Sequence, residues 1–152
     1  MSFLKRTLPL LAMAATLTAG LAFAGVDDQI KARQDEMRAN AAGLKTLVGI
    51  MRGVTPYDPA VVKSSLDAMT AAMATANTAK AWDITARTGT IPTHALPAVW
   101  DDAAGFAAAM KSFEDAISSV STTADEAAFK AAFTKVGQSC KDCHDKYRAP
   151  EG

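Results

Sequence analysis

The sequence predicts an all-α protein, an up-down-up-down bundle of four helices. Apolar residues recur at three- and four-residue steps in four separate segments, as they do on the buried side of amphipathic helices. No stretch alternates convincingly between polar and apolar residues with the period of two that strands show. The spacing along each apolar stripe is close to 3.5 residues, the period with which helices pack at shallow crossing angles in bundles.

The first two helices are predicted from their stripes and from the turn between them. The first runs from about residue 27 to Arg52, and the segment that starts at Gly53 breaks it. The second starts with Asp58 as its cap and Pro59 at its first position, where a missing N–H costs nothing. Their stripes are Ile30, Met37, Ala41, Leu44, Val48 and Met51 in the first helix, and Val62, Leu66, Met69, Met73 and Ala76 in the second.

The last two helices follow an irregular stretch, about residues 78–96, that holds Trp82, Gly89 and Pro92. The third helix is predicted to begin at Pro97 and to end at residues 121–122, and the fourth to open with a capping box over residues 123–126. Their stripes are Phe106, Met110, Phe113, Ile117 and Val120, then Phe129, Phe133, Val136, Cys140, Cys143 and Tyr147. Short connections within each helix pair make the paired helices antiparallel neighbours.

Residues 1–24 are predicted to be a cleaved secretory signal, which leaves one domain over residues 25–152. Lys5 and Arg6 form a basic start, residues 8–22 are largely apolar, and residues 22–24 read Ala-Phe-Ala, a signal peptidase pattern. A membrane anchor is the alternative, but the apolar stretch is short for a span of about 20 residues. Export to the periplasm is therefore expected.

The charge of the chain excludes some partners. The chain has 16 basic and 16 acidic residues, and loss of Lys5 and Arg6 with the signal leaves a slightly acidic domain. This balance predicts neither nucleic-acid binding nor a basic surface for membrane binding.

The most specific motif is Cys140-Lys141-Asp142-Cys143-His144, close to the C-terminus. This C-x-x-C-H pattern is typical of covalent attachment of c-type haem. Two thioethers bind the vinyl groups on one porphyrin edge, and the adjacent imidazole binds iron. On a helix, His144 shares the face of Cys140 at i, i+4, so we expect one haem c inside the end of the bundle.

Two rival interpretations of the motif are weaker. A thioredoxin-like dithiol follows a strand and opens a helix, whereas this motif closes a helix in a chain without predicted strands. A structural zinc site needs four ligands, and beyond the motif only His94 could supply another nitrogen or sulfur. His94 lies in a loop and is expected at the surface, not on a metal.

The sixth iron position determines the function, and the bundle end limits its candidates. Met51 and Met69 lie toward the opposite end and Met110 part-way along the third helix, which leaves Met37 and Met73. Met37 lies at a depth that matches His144, although methionine is commonly a core filler. Met73 fits the filler role better, because Leu66 and Met69 continue its stripe.

The chain resembles the class II c-type cytochromes, the cytochrome c′ family, over essentially the whole mature domain. The resemblance is carried by Val136–Arg148 around the haem motif, by the turn Arg52–Asp58, and by Leu96–Trp100 at the entry to the third helix. It implies a four-helix bundle that carries one covalent haem c. It also implies that homodimers can form through the first two helices.

The resemblance places Met37, counted back from Gly53, at the distal haem position. High-spin members generally carry an apolar residue there that does not bind iron, and a methionine is the sixth ligand in the low-spin branch. The resemblance also implies that Arg33 lies near a haem propionate and Arg148 beside the proximal imidazole, where a cation tunes the ligand. Either arginine could instead be a solvated surface charge. Tyr147 and Trp82 are further candidates for the haem pocket.

Two functions are compatible with these observations. The first, which we favour from the sequence, is a periplasmic electron carrier with six-coordinate His/Met iron, no enzymatic turnover, and redox proteins as transient partners. The alternative is a five-coordinate, high-spin protein that binds NO or CO.

Overall fold

The computed structural model describes the backbone of residues 17–150 and the side chains of residues 25–150. Its helices are α1 (Leu17–Met51), α2 (Pro59–Thr78), α3 (Ala98–Asp101), α4 (Ala103–Ser121) and α5 (Glu126–Tyr147). A single 3₁₀ turn, Ile84–Ala86, lies between α2 and α3. The four long helices form the predicted up-down-up-down bundle, and the residues described contain no strand.

The bundle consists of two helical hairpins. The helices α1 and α2 pack along each other, α4 and α5 do the same, and α2 and α4 join the hairpins. One apolar core takes side chains from all four helices: Leu47, Ile50, Val62, Leu66, Met69, Met73, Phe113, Ala116, Ile117, Val120, Phe129, Phe133 and Val136. Burial of these side chains provides the main driving force for the fold. The stripes predicted for α2, α4 and α5 are confirmed, since their members are buried or half-buried.

The turn between α1 and α2 follows from its sequence. The N–H of Gly53 donates to the carbonyl of Ile50 at 3.0 Å, and the N–H of Val54 donates to that of Gly49 at 2.9 Å. Gly53 has φ of +69°, the left-handed conformation with which glycine ends a helix in this pattern. Asp58 then caps α2 by accepting from the N–H of Ala60 at 2.8 Å, as predicted.

The predicted third helix is divided in two. Pro97 precedes α3, which ends at Asp101, and Asp102 has φ −122° and ψ 56°, outside the helical region. The Asp102 carboxylate accepts from the N–H of Gly105 at 3.2 Å and so caps α4. A carboxylate that binds the free N–H groups of a helix start favours a new helix there.

The predicted capping box at the start of α5 is wrong. Asp125, and not Thr123, is the N-cap residue, and its side chain accepts from the N–H of Ala128 at 2.8 Å. The Thr123 hydroxyl donates instead to the carbonyl of Val120 at the end of α4, at 2.8 Å. Thr123 is therefore used to end one helix, and an aspartate two residues later starts the next.

Two features of α1 differ from the prediction. The helix begins at Leu17, ten residues before the predicted start. Ala41, placed on its apolar stripe, is exposed, whereas Arg33, Glu36 and Asn40 are buried. The face of α1 that is directed into the bundle is therefore partly polar.

The predicted signal sequence lies largely outside the residues described, since the structure gives no side chain before residue 25. Its cleavage remains a prediction. Within residues 17–150, none of the helices combines the length and the apolarity needed to span a membrane.

Candidate haem-binding site

The C-x-x-C-H motif occupies the last two turns of α5. Cys140, Cys143 and His144 are all half-buried, with the thiols one turn apart on the helix. Burial raises the pKa of both thiols, and the neighbouring Cys140 and Glu36 raise that of Cys143 further. A redox-active dithiol has a lowered thiol pKa, so this environment argues against the thioredoxin-like alternative.

An aromatic cluster surrounds the motif. Val99, Phe106 and Tyr147 form a second buried cluster, and Trp82, Met110 and Cys143 pack against it. The ring of Phe106 lies 5.0 Å from that of Trp82 and 5.3 Å, edge-on, from that of Tyr147. The structure thus brings the predicted pocket residues Trp82 and Tyr147 together with Cys143.

Phe106 and Met110 were expected only as core residues of the third helix. Their place beside Cys143 makes them pocket residues that the sequence analysis missed. The helix was expected to begin at Pro97, with Met110 part-way along it, whereas α4 begins at Ala103. No sequence signal therefore brought either residue to the end of the bundle that holds the motif.

Residues 33–40 of α1 face the same end. Met37 is half-buried. Successive residues on a helix are rotated by about 100°, so Met37 lies about 40° from Arg33 and about 60° from Asn40 around the axis. Both neighbours are buried. The buried Glu36 lies about 100° from Met37, so Met37 lies at the edge of the inner face of α1. The structure does not pack it against either apolar cluster of the residues described.

Glu36 is a site residue that the sequence did not indicate. It is 1% exposed, and the indole N–H of Trp82 donates to its Oε2 at 2.9 Å. Burial raises the pKa of Glu36 to about 6, the hydrogen bond from Trp82 opposes that shift, and the charge of Glu114 adds to it. Glu36 therefore adds a buried polar group to the wall of the pocket, close to Cys143.

Arg33 holds the segment between α2 and α3. Its Nη1 donates to the carbonyls of Ala81 at 3.2 Å and Ala86 at 2.6 Å, and its Nη2 donates to the hydroxyl of Thr93 at 3.0 Å. Arg33 Nε is buried without a partner. A guanidinium N–H without a partner is chemically able to pair with an acceptor such as a carboxylate.

The remaining candidates lie around the end of α5. The N–H of Arg148 donates to the carbonyl of His144 at 3.1 Å, and Arg148 pairs with Ala95 in an isolated bridge. His94 is exposed, and its carbonyl accepts from the N–H of Ala149 at 2.8 Å. In the part of the chain with described side chains, no group of three or more His, Cys, Asp or Glu could hold a metal ion.

The donor set of the site fits haem c. Two thiols lie one turn apart on α5, Cys143 against the aromatic cluster and Cys140 against the main core. An imidazole follows them, and on α1 one guanidinium N–H is buried without a partner. Thiols can form the thioethers, the imidazole can bind iron, and the cation can pair with a propionate. This fold and this site define a c-type haem protein built on a four-helix bundle.

Comparison with known proteins identifies the family. A profile described as Cytochrome C' matches residues 28–148. The cytochrome c' of Alcaligenes xylosoxydans xylosoxydans is 33% identical over 129 residues, which cover 83% of this chain and 97% of that protein. The cytochrome c-555 of Bradyrhizobium diazoefficiens is 30% identical over 150 residues, covering 95% and 97%.

Solved structures agree. The nitric oxide complex of a variant of cytochrome c prime from Alcaligenes xylosoxidans superposes with a TM-score of 0.73 at 32% identity, over 84% of this chain and 99% of that one. The chain therefore belongs to the cytochrome c′ family, the class II c-type cytochromes. It carries covalent haem c, one group per chain.

Proposed function

We propose that this cytochrome is a periplasmic carrier of single electrons, with haem bound through Cys140 and Cys143 and iron held between His144 and Met37. The observation that supports the proposal best is the position of Met37. It lies at the edge of the inner face of α1, within the segment where Glu36 meets Trp82 beside the haem motif. A thioether in this segment is a suitable iron ligand, since soft sulfur binds haem iron in other c-type cytochromes.

The residues of this chain have separate tasks in that function. Haem c, when bound, supplies an iron that exchanges one electron between its ferric and ferrous states. His144 and Met37 would be the protein ligands of the iron, and the soft sulfur of Met37 would favour the ferrous state. Cys140 and Cys143 keep the haem in place in both states. The aromatic cluster of Phe106, Trp82 and Tyr147 limits the access of water.

The partners are proposed to be redox proteins that dock briefly, since electron-transfer encounters bury small surfaces. The predicted signal sequence and the attachment of c-type haem outside the cytoplasm both support a periplasmic location. The near-balance of charges favours neither nucleic acid nor a lipid surface as a partner.

A second function, binding of NO or CO at five-coordinate iron, is supported by the comparisons. Curated relatives from four organisms are called cytochrome c', and variants of one of them, cytochrome c prime from Alcaligenes xylosoxidans, have been solved as nitric oxide complexes. The comparisons favour this function, whereas the methionine at the edge of the inner face of α1 favours the electron carrier. In the gas-binding arrangement Met37 lies beside the iron without binding it.

Absorption spectra of the purified haem-loaded protein, with and without CO, separate the two. The carrier shows low-spin spectra, a sulfur-to-iron charge-transfer band in the ferric state, and no CO uptake by the reduced protein. A high-spin spectrum that shifts promptly on addition of CO would instead establish the gas-binding function. Absence of a Soret band would rule out both.

A further inference from the structure

Three buried polar atoms on the inner face of α1 have no hydrogen-bond partner. They are Arg33 Nε, Glu36 Oε1 and Asn40 Oδ1, on side chains that are 2%, 1% and 5% exposed. Buried polar atoms without a partner are rare in folded proteins, because each costs the full price of its lost hydration. Three of them on one helix face indicate that another group completes the site.

Two of the three atoms are acceptors that lie one turn apart. Residues at i and i+4 are neighbours on a helix surface, so Glu36 Oε1 and Asn40 Oδ1 line the same stretch of α1. The Glu36 carboxylate already uses Oε2 for the indole N–H of Trp82. A single group that donates two hydrogens would satisfy both Glu36 Oε1 and Asn40 Oδ1.

Haem cannot supply these hydrogens. Its ionised propionates are acceptors, so they can satisfy the N–H of Arg33 but not an oxygen of Glu36 or Asn40. Of the residues that the structure shows interacting with Glu36, Trp82 already donates its only N–H to Oε2, and Cys143 has at most a weak thiol donor. A water molecule carries two donor hydrogens and needs two to four polar partners when buried.

We propose that Glu36 and Asn40 form a binding site for one ordered water, which donates one hydrogen to each side chain on the α1 side of the haem pocket. The Trp82–Glu36 hydrogen bond fixes the carboxylate, so the site is preformed and does not depend on side-chain rearrangement. The bound water adds a hydrated, hydrogen-bonding group to the polar side of the pocket. The inference holds whether Met37 binds iron or lies beside it, so it can fail independently of the proposed function.

A crystal structure of the haem-loaded protein, at a resolution that shows ordered waters, tests the site directly. The expected result is a water within hydrogen-bond distance of both Glu36 Oε1 and Asn40 Oδ1. The proposal is overturned by a dry site. It is equally overturned if the Asn40 amide is turned so that its Nδ2 donates directly to Glu36.

A double-mutant cycle tests the same bridge in solution. Glu36→Leu and Asn40→Leu each leave the other acceptor with fewer partners, whereas the double variant removes both acceptors. The shift in the denaturation midpoint of the double variant should therefore be smaller than the two single shifts together. The matched control combines Glu36→Leu with Asn77→Leu, an exposed asparagine on α2, and should be additive. Additive shifts in the Glu36–Asn40 cycle would show that no water couples the two side chains.

Discussion

The guanidinium of Arg33 lies over the ring of Trp100, with its Cζ 5.5 Å from the ring centroid, and over that of Trp82 at 5.9 Å. The same group donates hydrogen bonds to the carbonyls of Ala81 and Ala86. The buried Arg33 thus links α1 to two neighbours. One is the irregular segment that contains Trp82, and the other is α3, which contains Trp100. The order of that segment depends on a planar, multidentate group.

Replacement of Arg33 by Lys should therefore loosen the segment 79–97 although the charge is kept. A lysine ammonium cannot reproduce the fork geometry or the stacking of guanidinium on an indole ring. Loss of hydrogen bonds to a charged group should cost about 2 kcal/mol of unfolding free energy. Denaturant unfolding measures the loss of unfolding free energy, and limited proteolysis measures the loosening of residues 79–97. Arg38→Lys is the control, since Arg38 is exposed and pairs with Asp35 on the helix surface. Equal protease resistance of the two variants would contradict the role of Arg33.

Replacement of Met37 by Ala should open the sixth position of the iron. The expected result is a change from a low-spin to a high-spin spectrum, with CO uptake by the reduced protein. Met73→Ala and Met110→Ala are the controls, because Met73 lies in the main core and Met110 packs against the cluster that contains Cys143. If Met110→Ala or Met73→Ala changes the spin state while Met37→Ala does not, Met37 is not the ligand.

Replacement of Cys143 by Ala should leave the haem attached by one thioether, through Cys140. Mass spectrometry of the denatured protein then still shows a chain with bound haem, and the pyridine haemochrome spectrum shifts toward that of a haem with one free vinyl group. The double variant with Cys140→Ala and Cys143→Ala should lose all haem on denaturation. Covalent haem in the double variant would mean that attachment does not require this motif.

The stability of the protein should depend on Asp27 in a defined pH range. The Thr90 hydroxyl and the N–H groups of Thr90 and Ile91 donate to this carboxylate and hold its pKa below the ordinary value of 3.8. A lowered pKa in the folded state stabilises the protein above the unfolded pKa, and this stability is lost as the pH falls through the folded pKa. Asp27→Asn should thus be less stable than the wild type at pH 7.

The difference in unfolding free energy between Asp27→Asn and the wild type should become smaller as the pH falls below about 4. In that range the Asp27 carboxylate begins to be protonated in the unfolded chain. Urea midpoints measured from pH 7 to pH 3 check this. Asp28→Asn changes the net charge equally, and the structure gives Asp28 no hydrogen bond to residues 90–91. A constant difference for Asp27→Asn over the whole range would contradict the prediction.

The helices and the haem motif could be predicted because they depend on local patterns. The stripe from Phe129 to Tyr147 and the cap formed by Asp58 are readable from period and residue type alone. The break at Asp102 was not predicted, because one helix was expected to run from Pro97 into the apolar stripe that starts at Phe106. At this break, the Asp102 carboxylate accepts a hydrogen bond from the Tyr147 hydroxyl on α5 at 2.8 Å. Sequence periodicity does not indicate such a contact between helices.

Glu36 was missed for a related reason. It lies between Asp35 and Met37 in a charged stretch, and such a residue is usually solvated. Its burial results from Trp82, which is 46 residues away in an irregular segment. Pairing of a loop indole with a helix carboxylate produces no periodic signal, so only the folded chain reveals it.

One carboxylate, that of Asp102, binds the first turn of α4 and also the Tyr147 hydroxyl and the Lys146 ammonium in the last turn of α5. The start of α4 and the end of α5 are therefore tied together by one side chain. Because Tyr147 belongs to the aromatic cluster and His144 lies one turn before it, Asp102 couples the position of the aromatic wall to that of the imidazole.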